Sequence, residues 1–353
     1  MTFALDYGEL FEAGLFSLAA PEKRSLHARW LSALNSHHRR LCPEYDRICA
    51  VLGDGVPVPV RLFKELDLMS IEKGAVAKTM TSSGTSGQRR SRIYLDNDTS
   101  ARQTKALSRI VSDFTGERKR MPMLVVDAEG TVRNRSMFSA RTAGIRGFSM
   151  MGRDVTFALR DDMALDWDSV EAFAERHSGE RVLVFGFTFL VWANLVEEAR
   201  SRGFSVEMEG VLVHGGGWKK LADRAVSPAE FAEGVRGVLG SGLRPCDYYG
   251  MVEQTGSICM ECECGRLHAS VFSDVEAVDP ATMLPVPFGA EGLLVTTSLL
   301  PTSYPGHVLL TEDVGAVLGE DDCPCGRRGR YFEVHGRQKG AEVRGCSDTY
   351  EGR

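Results

Sequence analysis

Residues 22–52 (EKRSLHARWLSALNSHHRRLCPEYDRICAVL) repeat apolar positions at intervals of three and four, with basic residues between them and a single interruption at Pro43. The spacing predicts two surface helices with a break at the proline. The next segment, GVPVPVRLF (55–63), reads as extended chain because Pro57 and Pro59 exclude a helix. In TMTSSGTSGQRRSRIYL (79–95) small hydroxyl residues and glycines lie before a β-branched run, the pattern of strand, loop and strand. Helical periodicity returns over 98–112, with Asp98 as the expected N-cap, and MPMLVVDA (121–128) reads as a buried strand.

The alternation continues with strand RVLVFGF (181–187), helix FLVWANLVEEARSRG (189–203) and strand VEMEGVLVHG (206–215). The helix has a basic last turn and a closing glycine. Strands alternating with helices of this length predict an α/β fold with a largely parallel sheet. After residue 244 the pattern changes to short strands and turns (RPCDYYG, RLHASVFSDVEAV, EGLLVTTS, HVLLTEDVGAVL, RYFEVHGR), which predicts a β-rich subdomain. The expected organisation is an N-terminal helical segment (1–60), an α/β core with a phosphate loop (61–243), a β-rich subdomain completing a nucleotide site at the junction (244–335) and a short C-terminal tail (336–353). The longest apolar run, Val182 to Val196, is interrupted by Gly186, Thr188 and Asn194 and falls short of the ~20 residues that span a bilayer. It reads as core, and no membrane span is expected.

Composition narrows the function classes. The 353 residues are 43% hydrophobic and 25% charged, and 42 basic residues against 48 acidic ones leave a net charge of −6. Without a basic block, nucleic acid is not an expected partner. The N-terminus MTFALDYGELFEAG lacks a secretory pattern, so a reducing cytoplasm is expected. Cysteine stands out: of nine, seven (Cys246, Cys259, Cys262, Cys264, Cys323, Cys325 and Cys346) lie in the last third. An odd count with C-x-C pairs points to metal or thiol chemistry and away from a disulfide framework.

Four segments carry candidate chemistry. In Thr81-Ser82-Ser83-Gly84-Thr85-Ser86-Gly87 two glycines let backbone N–H groups converge and the hydroxyls add donors, a cradle for polyphosphate; a solvated linker has the same composition. In Tyr249-Gly250-Met251-Val252-Glu253 the ring can lie on a purine and the carboxylate can reach a hydrated Mg²⁺; a core tyrosine and a surface glutamate would look alike. After His214, the run Gly215-Gly216-Gly217 allows a ligand ring to approach the backbone, and Asp313, at an expected strand end, can accept from both ribose hydroxyls. Each of these two is otherwise a turn.

The thiols fall into two groups. Cys262-Glu263-Cys264-Gly265 and Cys323-Pro324-Cys325-Gly326 are paired C-x-C-Gly units suited to tetrahedral Zn²⁺, with Cys259 or His268 able to stand in for one ligand. Cys346, beside Arg344 and Gly345, has the surroundings of a thiolate on a bendable segment, against the alternative of an inert thiol.

In this order, the hydroxyl-glycine loop, the glycine run, Tyr-Gly-x-x-Glu, Thr-x-Asp and Gly336-Arg337 resemble the core motifs of the adenylate-forming superfamily. More narrowly, FTF (187–189), HGGGWKK, YYGMVEQTGSI and GRQKGAEVRGCS resemble the LuxE-type acyl-protein synthetases over roughly residues 40–350. The resemblance implies an adenylate-forming N-terminal-domain-like core. It also implies ATP-dependent activation of a fatty or aromatic acid to acyl-AMP, then transfer to a thiol.

By position, it puts Thr81 to Gly87 on the phosphates, with Arg89 and Arg90 where many relatives have lysine. Gly216, Gly217 and Tyr249 fall on adenine, Glu253 on Mg²⁺, Asp313 on ribose, Arg337 on ribose or α-phosphate, and Cys346 becomes the acyl acceptor. Two departures stand out. Val252 replaces a threonine that contacts the α-phosphate in many relatives, leaving Thr255 as a substitute, and the chain stops 16 residues after Arg337, where most relatives continue into a domain with a catalytic lysine. Lys219, beside Trp218, is the favoured replacement, with Lys220 or the charge of Arg337 and Mg²⁺ as alternatives. The implied partners are the carboxylic acid and an acyl reductase, carrier protein or coenzyme A. The alternatives to self-acylation are a ligase acting on a carrier or coenzyme A, and a non-catalytic zinc-stabilised binding homologue.

Overall fold

The computed structural model describes residues 5–82, 89–133 and 140–338, apart from the side chains of residues 140, 219, 220 and 222. The strands, in chain order, are β1 (Val58–Pro59), β2 (Lys78–Thr81), β3 (Arg92–Leu95), β4 (Met121–Ala128), β5 (Gly152–Leu159), β6 (Arg181–Phe187) and β7 (Glu209–Gly215). They continue as β8 (Leu243–Tyr249), β9 (Cys259–Glu261), β10 (Leu267–His268), β11 (Ser273–Val278), β12 (Glu291–Ser298), β13 (Val308–Glu320) and β14 (Arg330–Arg337). The chain divides into two compact units, one of residues 1–82, 88–110 and 250–342, the other of 83–87, 111–249 and 343–353. Each follows its own packing rule.

The second unit is a parallel sheet in the order β8-β7-β6-β4-β5. Every residue of β4 is buried, and β6 and β7 are buried apart from their first residues, so their continuous apolar runs follow from being covered on both faces. RPCDYYG, expected in the β-rich part, is instead the fifth parallel strand, its register set by Gly210↔Leu243 through Gly215↔Tyr248. Helices Ala140–Ser149, Trp167–Arg176 and Pro228–Leu239 complete this unit beyond those the periodicity picked out.

The predicted 189–203 helix runs from Thr188 to Arg202 and contains a π-helical stretch at Val191–Val196. Its end is capped by Gly203 at φ +69°, a conformation that glycine adopts without Cβ strain. The following strand starts at Glu209, three residues later than predicted.

The first unit has an antiparallel sheet, β11-β12-β13-β14-β10-β9, with β1 laid parallel to β13. Val278, Leu293 and Val295 form part of its core with Val308, Leu310 and Val314. Helices Ala20–Leu41 and Pro43–Leu52 meet at the predicted break, Pro43 being the first residue of the second. β2 and β3 form the predicted hairpin. Asp98 does not cap the next helix: Asp96 Oδ1 accepts from Thr99 N at 2.7 Å, and the helix starts at Asn97. Among the described residues, no helix is long and apolar enough to cross a membrane.

Candidate functional site

In the parallel-sheet unit the predicted residues cluster at strand ends. β7 ends at Gly215, where an added Cβ would lie 2.7 Å from both the ring and the carbonyl oxygen of Tyr248 on β8. Gly216 and Gly217 follow at φ +82° and +64°, a backbone bend with no side chains in it. Before them, His214 is buried, donates or accepts at 3.0 Å with Thr188 Oγ1, and has its pKa pushed down to about 3 by burial. It is a neutral imidazole at neutral pH.

Tyr248 packs with Phe148 and Phe185 at ring separations of 5.2 and 6.5 Å, and Tyr249, half-buried, ends the strand. Phe185, Phe187, Phe189 and Trp192 are all buried. Trp218 sits edge-on to Trp192 and Phe231, so the backbone of the short 3-10 helix Lys219–Arg224 leaves from an anchored residue.

In the antiparallel unit, Glu253 lies in the 3-10 turn Val252–Gln254 and is only 4% exposed, unlike a surface glutamate. Its neighbours lock that turn. Gln254 Nε2 donates to the carbonyls of Thr296 and Gly306 at 3.1 and 2.9 Å, and Gly256, at φ +88°, presses against the backbone of Gln103. Thr255 Oγ1 donates to Val252 O at 2.9 Å.

At the end of β2, Ser82 and Ser91 close the base of the hydroxyl-glycine loop through Ser91 N to Ser82 Oγ at 3.0 Å and Ser82 N to Ser91 O at 3.1 Å. Arg89 is ion-paired with Glu65 at 2.6 Å. Asp313 does not end a strand as expected: it lies inside the thirteen-residue β13, opposite Arg337 of β14, whose Nε donates to its Oδ1 at 3.2 Å. A register shift follows directly, between Val314 and Gly315. Ser83, Gly84, Thr85, Ser86, Gly87 and Cys346 lie outside the described residues, as do the side chains of Lys219 and Lys220.

The thiols sort differently from the C-x-C spacing. Cys262, Cys323 and Cys325 come together with His268, their ligand atoms all within 4.8 Å of one another, whereas Cys264 is exposed and outside the group. Cys259 is also outside it, a fully buried thiol with its pKa raised to about 12 by burial. Cys42, Cys49 and Cys246 are buried free thiols elsewhere.

Residue spacing did not single out two further groups. Asp127 at the end of β4 takes both guanidinium contacts of Arg141, at 2.6 and 2.5 Å, with neither side chain more than 4% exposed. A lone carboxylate in the otherwise apolar MPMLVVDA was the available signal. The His214–Thr188 contact joins two of the motifs quoted for the resemblance, FTF and HGGGWKK, but neither motif signals that the two side chains meet.

A sequence profile of the family described as "Acyl-protein synthetase, LuxE" matches residues 6–352. The chain is 23% identical over 360 residues to the Vibrio harveyi long-chain-fatty-acid–luciferin-component ligase, an alignment covering 92% of this chain and 87% of that protein. Among solved structures, an open conformation of 2-hydroxyisobutyryl-CoA ligase with 2-HIB-AMP and CoA superposes with a TM-score of 0.66 at 17% identity, over 91% of this chain and 71% of that one. The same ligase in its thioesterification state gives 0.65 at 17% identity, over 91% and 69%. At that identity the likeness is one of fold, the α/β fold of an adenylate-forming ligase.

Proposed function

The chain belongs to the LuxE acyl-protein synthetase family, and we propose that it activates a carboxylic acid with ATP and transfers the acyl group to a thiol, its own Cys346. In the first half-reaction a carboxylate oxygen bonds to the α-phosphorus of ATP, the bond from that phosphorus to the β-bridging oxygen breaks, and pyrophosphate leaves acyl-AMP behind. In the second, a thiolate sulfur bonds to the acyl carbon, the carbon–oxygen bond to phosphate breaks, and AMP departs with the electron pair. The thiol proton passes to solvent. The Vibrio relative's name, a long-chain-fatty-acid–luciferin-component ligase, favours a fatty acid over an aromatic one.

The reading gives Thr81 to Gly87 to the phosphates, Gly216, Gly217, Tyr249 and Gly250 to adenine, Asp313 to ribose, and Arg337 to ribose or α-phosphate. Lys219 supplies charge as acyl-AMP forms. The observation that carries it is the Asp313–Arg337 pair: two residues 24 apart in sequence, each assigned to the nucleotide, face each other at 3.2 Å. Glu253 fits a magnesium role, as a hard oxygen donor on a locked, buried turn. Magnesium, when bound, neutralises phosphate charge. Zinc takes no part in either half-reaction.

Exchange of labelled pyrophosphate into ATP, measured over fatty, aryl and amino acids, tests activation and substrate class together. The expected result is exchange with fatty acids, lowered about 10²-fold to 10³-fold by Glu253→Gln and unchanged in Cys346→Ser. That second variant loses the acid- and ATP-dependent mass increase of the intact chain. Silence across the whole panel sinks the enzymatic reading. Acylation of Cys346→Ser moves the acceptor to another residue, and its full turnover with added coenzyme A or carrier protein makes the protein a ligase for an external thiol.

A further inference from the structure

Two turns of the same build face each other in the antiparallel unit. One follows β9 and begins at Cys262; the other follows β13 and begins at Cys323. In each, the glycine three residues on is left-handed (Gly265 φ +71°, Gly326 φ +82°) and donates its N–H to the cysteine carbonyl at 3.0 Å. The first turn also aims the N–H of Cys264 at Cys262 Sγ, at 3.4 Å. His268 arrives from β10, whose pairing with β9 sets His268 against Met260.

The separations have a specific meaning. Cys262 Sγ and Cys323 Sγ are 3.9 Å apart, and Cys325 Sγ is 3.4 Å from His268 Nε2. A disulfide needs about 2.05 Å. A tetrahedron with Zn–S near ~2.3 Å and Zn–N near ~2.0 Å has edges of about 3.8 Å between sulfurs and about 3.5 Å from sulfur to nitrogen. The imidazole fits the same arrangement: His268 is fully buried and its Nε2 faces Cys325 Sγ, with all four ligand atoms within 4.8 Å of one another.

We propose that Cys262, His268, Cys323 and Cys325 form a closed Cys₃His zinc site, with Cys264 outside it. Three sulfurs and an imidazole select zinc over the hard cations, and four protein ligands leave no open coordination position, so the role is structural. The site closes the turn end of the β13–β14 hairpin, whose other end carries the Asp313–Arg337 pair. It also supports the N-terminal segment: Arg328 N donates to Phe16 O at 2.9 Å, Val271 N to Leu15 O at 2.8 Å, and the Phe16 ring stands edge-on to His268. Metal loss would therefore loosen residues near 15 and the hairpin register together.

The test uses the full chain, purified under reducing conditions. Elemental analysis is expected to find one zinc per chain, and cobalt exchanged into the site should show the intense visible bands of tetrahedral coordination with thiolate charge transfer. Cys264→Ser keeps both signals; His268→Ala and Cys325→Ser lose them. His268→Cys, which preserves a ligand, retains metal with stronger charge transfer, and this holds even where the other variants do not fold. A folded wild-type chain that takes up neither zinc nor cobalt overturns the proposal. So does loss of the metal in Cys264→Ser with retention in His268→Ala.

Discussion

In the parallel-sheet unit the residues of interest are sequence neighbours gathered at strand ends: His214 through Gly217 at and just past the end of β7, Tyr248 and Tyr249 closing β8. In the antiparallel unit they are assembled from afar, Asp313 meeting Arg337 across 24 residues and Cys262 meeting Cys323 across 61. A contiguous strand-end motif needs only its own strand to form. A cross-strand pair needs the register between strands to be right, and a shift of one residue sends each side chain to the opposite face. The antiparallel unit should therefore be the more sensitive to polar and backbone perturbation, and three measurements bear on this.

Acid has the largest expected effect. Burial is the first cause holding His27 down to about 4, His307 to about 3 and His38 well below the usual range, with Lys23 adding to the first and neighbouring histidines to the others. All three lie in the antiparallel unit, against His214 in the parallel one. Their folded pKa values are depressed, so the native state stays neutral while the unfolded chain gains protons below about pH 6.5. Stability is complete above that pH and falls as pH drops, by up to about 1.4 kcal/mol per histidine per pH unit. Hydrogen exchange at pH 7 and pH 5, read by peptide, should show protection lost first in residues 20–52 and 300–310. Equal loss in both units would erase the contrast.

Arg141→Leu probes the parallel unit from the other side. It leaves Asp127 buried without its partner and should cost about 3–5 kcal/mol in urea unfolding. Adding Asp127→Asn should recover much of that loss; failure to recover would mean that the arginine acts by packing alone.

The smallest effect compares two glycines. In Gly256→Ala the left-handed backbone is compounded by a Cβ 2.4 Å from Gln103 O, for about 3 kcal/mol in all. At Gly217 nothing lies within 4 Å, so Gly217→Ala should cost about 1 kcal/mol of backbone strain. Paired thermal melts decide whether the locked Glu253 turn is indeed the stiffer of the two.

How much could be read from the sequence follows the same division. MPMLVVDA and RVLVFGF declare themselves as strands because burial on both faces demands unbroken apolar runs. The π-helical stretch at 191–196 leaves no mark, since its residues, VWANLV, suit an α-helical turn equally well. Asp96 and Asp98 are equally good caps by type, and the folded chain uses Asp96, which accepts from Thr99 N. Among the thiols, identical C-x-C spacing made Cys262 and Cys264 look alike. The β9–β10 pairing places His268 inward, while Cys264 contributes its N–H and leaves its side chain exposed. The Asp313–Arg337 contact was legible as two residues but not as a pair, because it depends on strand register.

The split membership of the antiparallel unit, residues 1–82 and 88–110 with 250–342, imposes an order on biosynthesis. Residues 111–249 of the parallel unit are nearly continuous and can fold as they leave the ribosome. The helices of residues 20–52 cannot: their partners are made only after the intervening 139 residues, a wait of roughly 7–28 s at ~5–20 residues per second. During that interval the helix that buries Trp30 and Leu34 in the finished protein lacks the carbonyls of Val271, Thr302 and Pro301 to which its His27, His37 and His38 bond. The nascent chain is thus exposed to chaperones and to aggregation over residues 20–52, and it remains so until the last strands arrive.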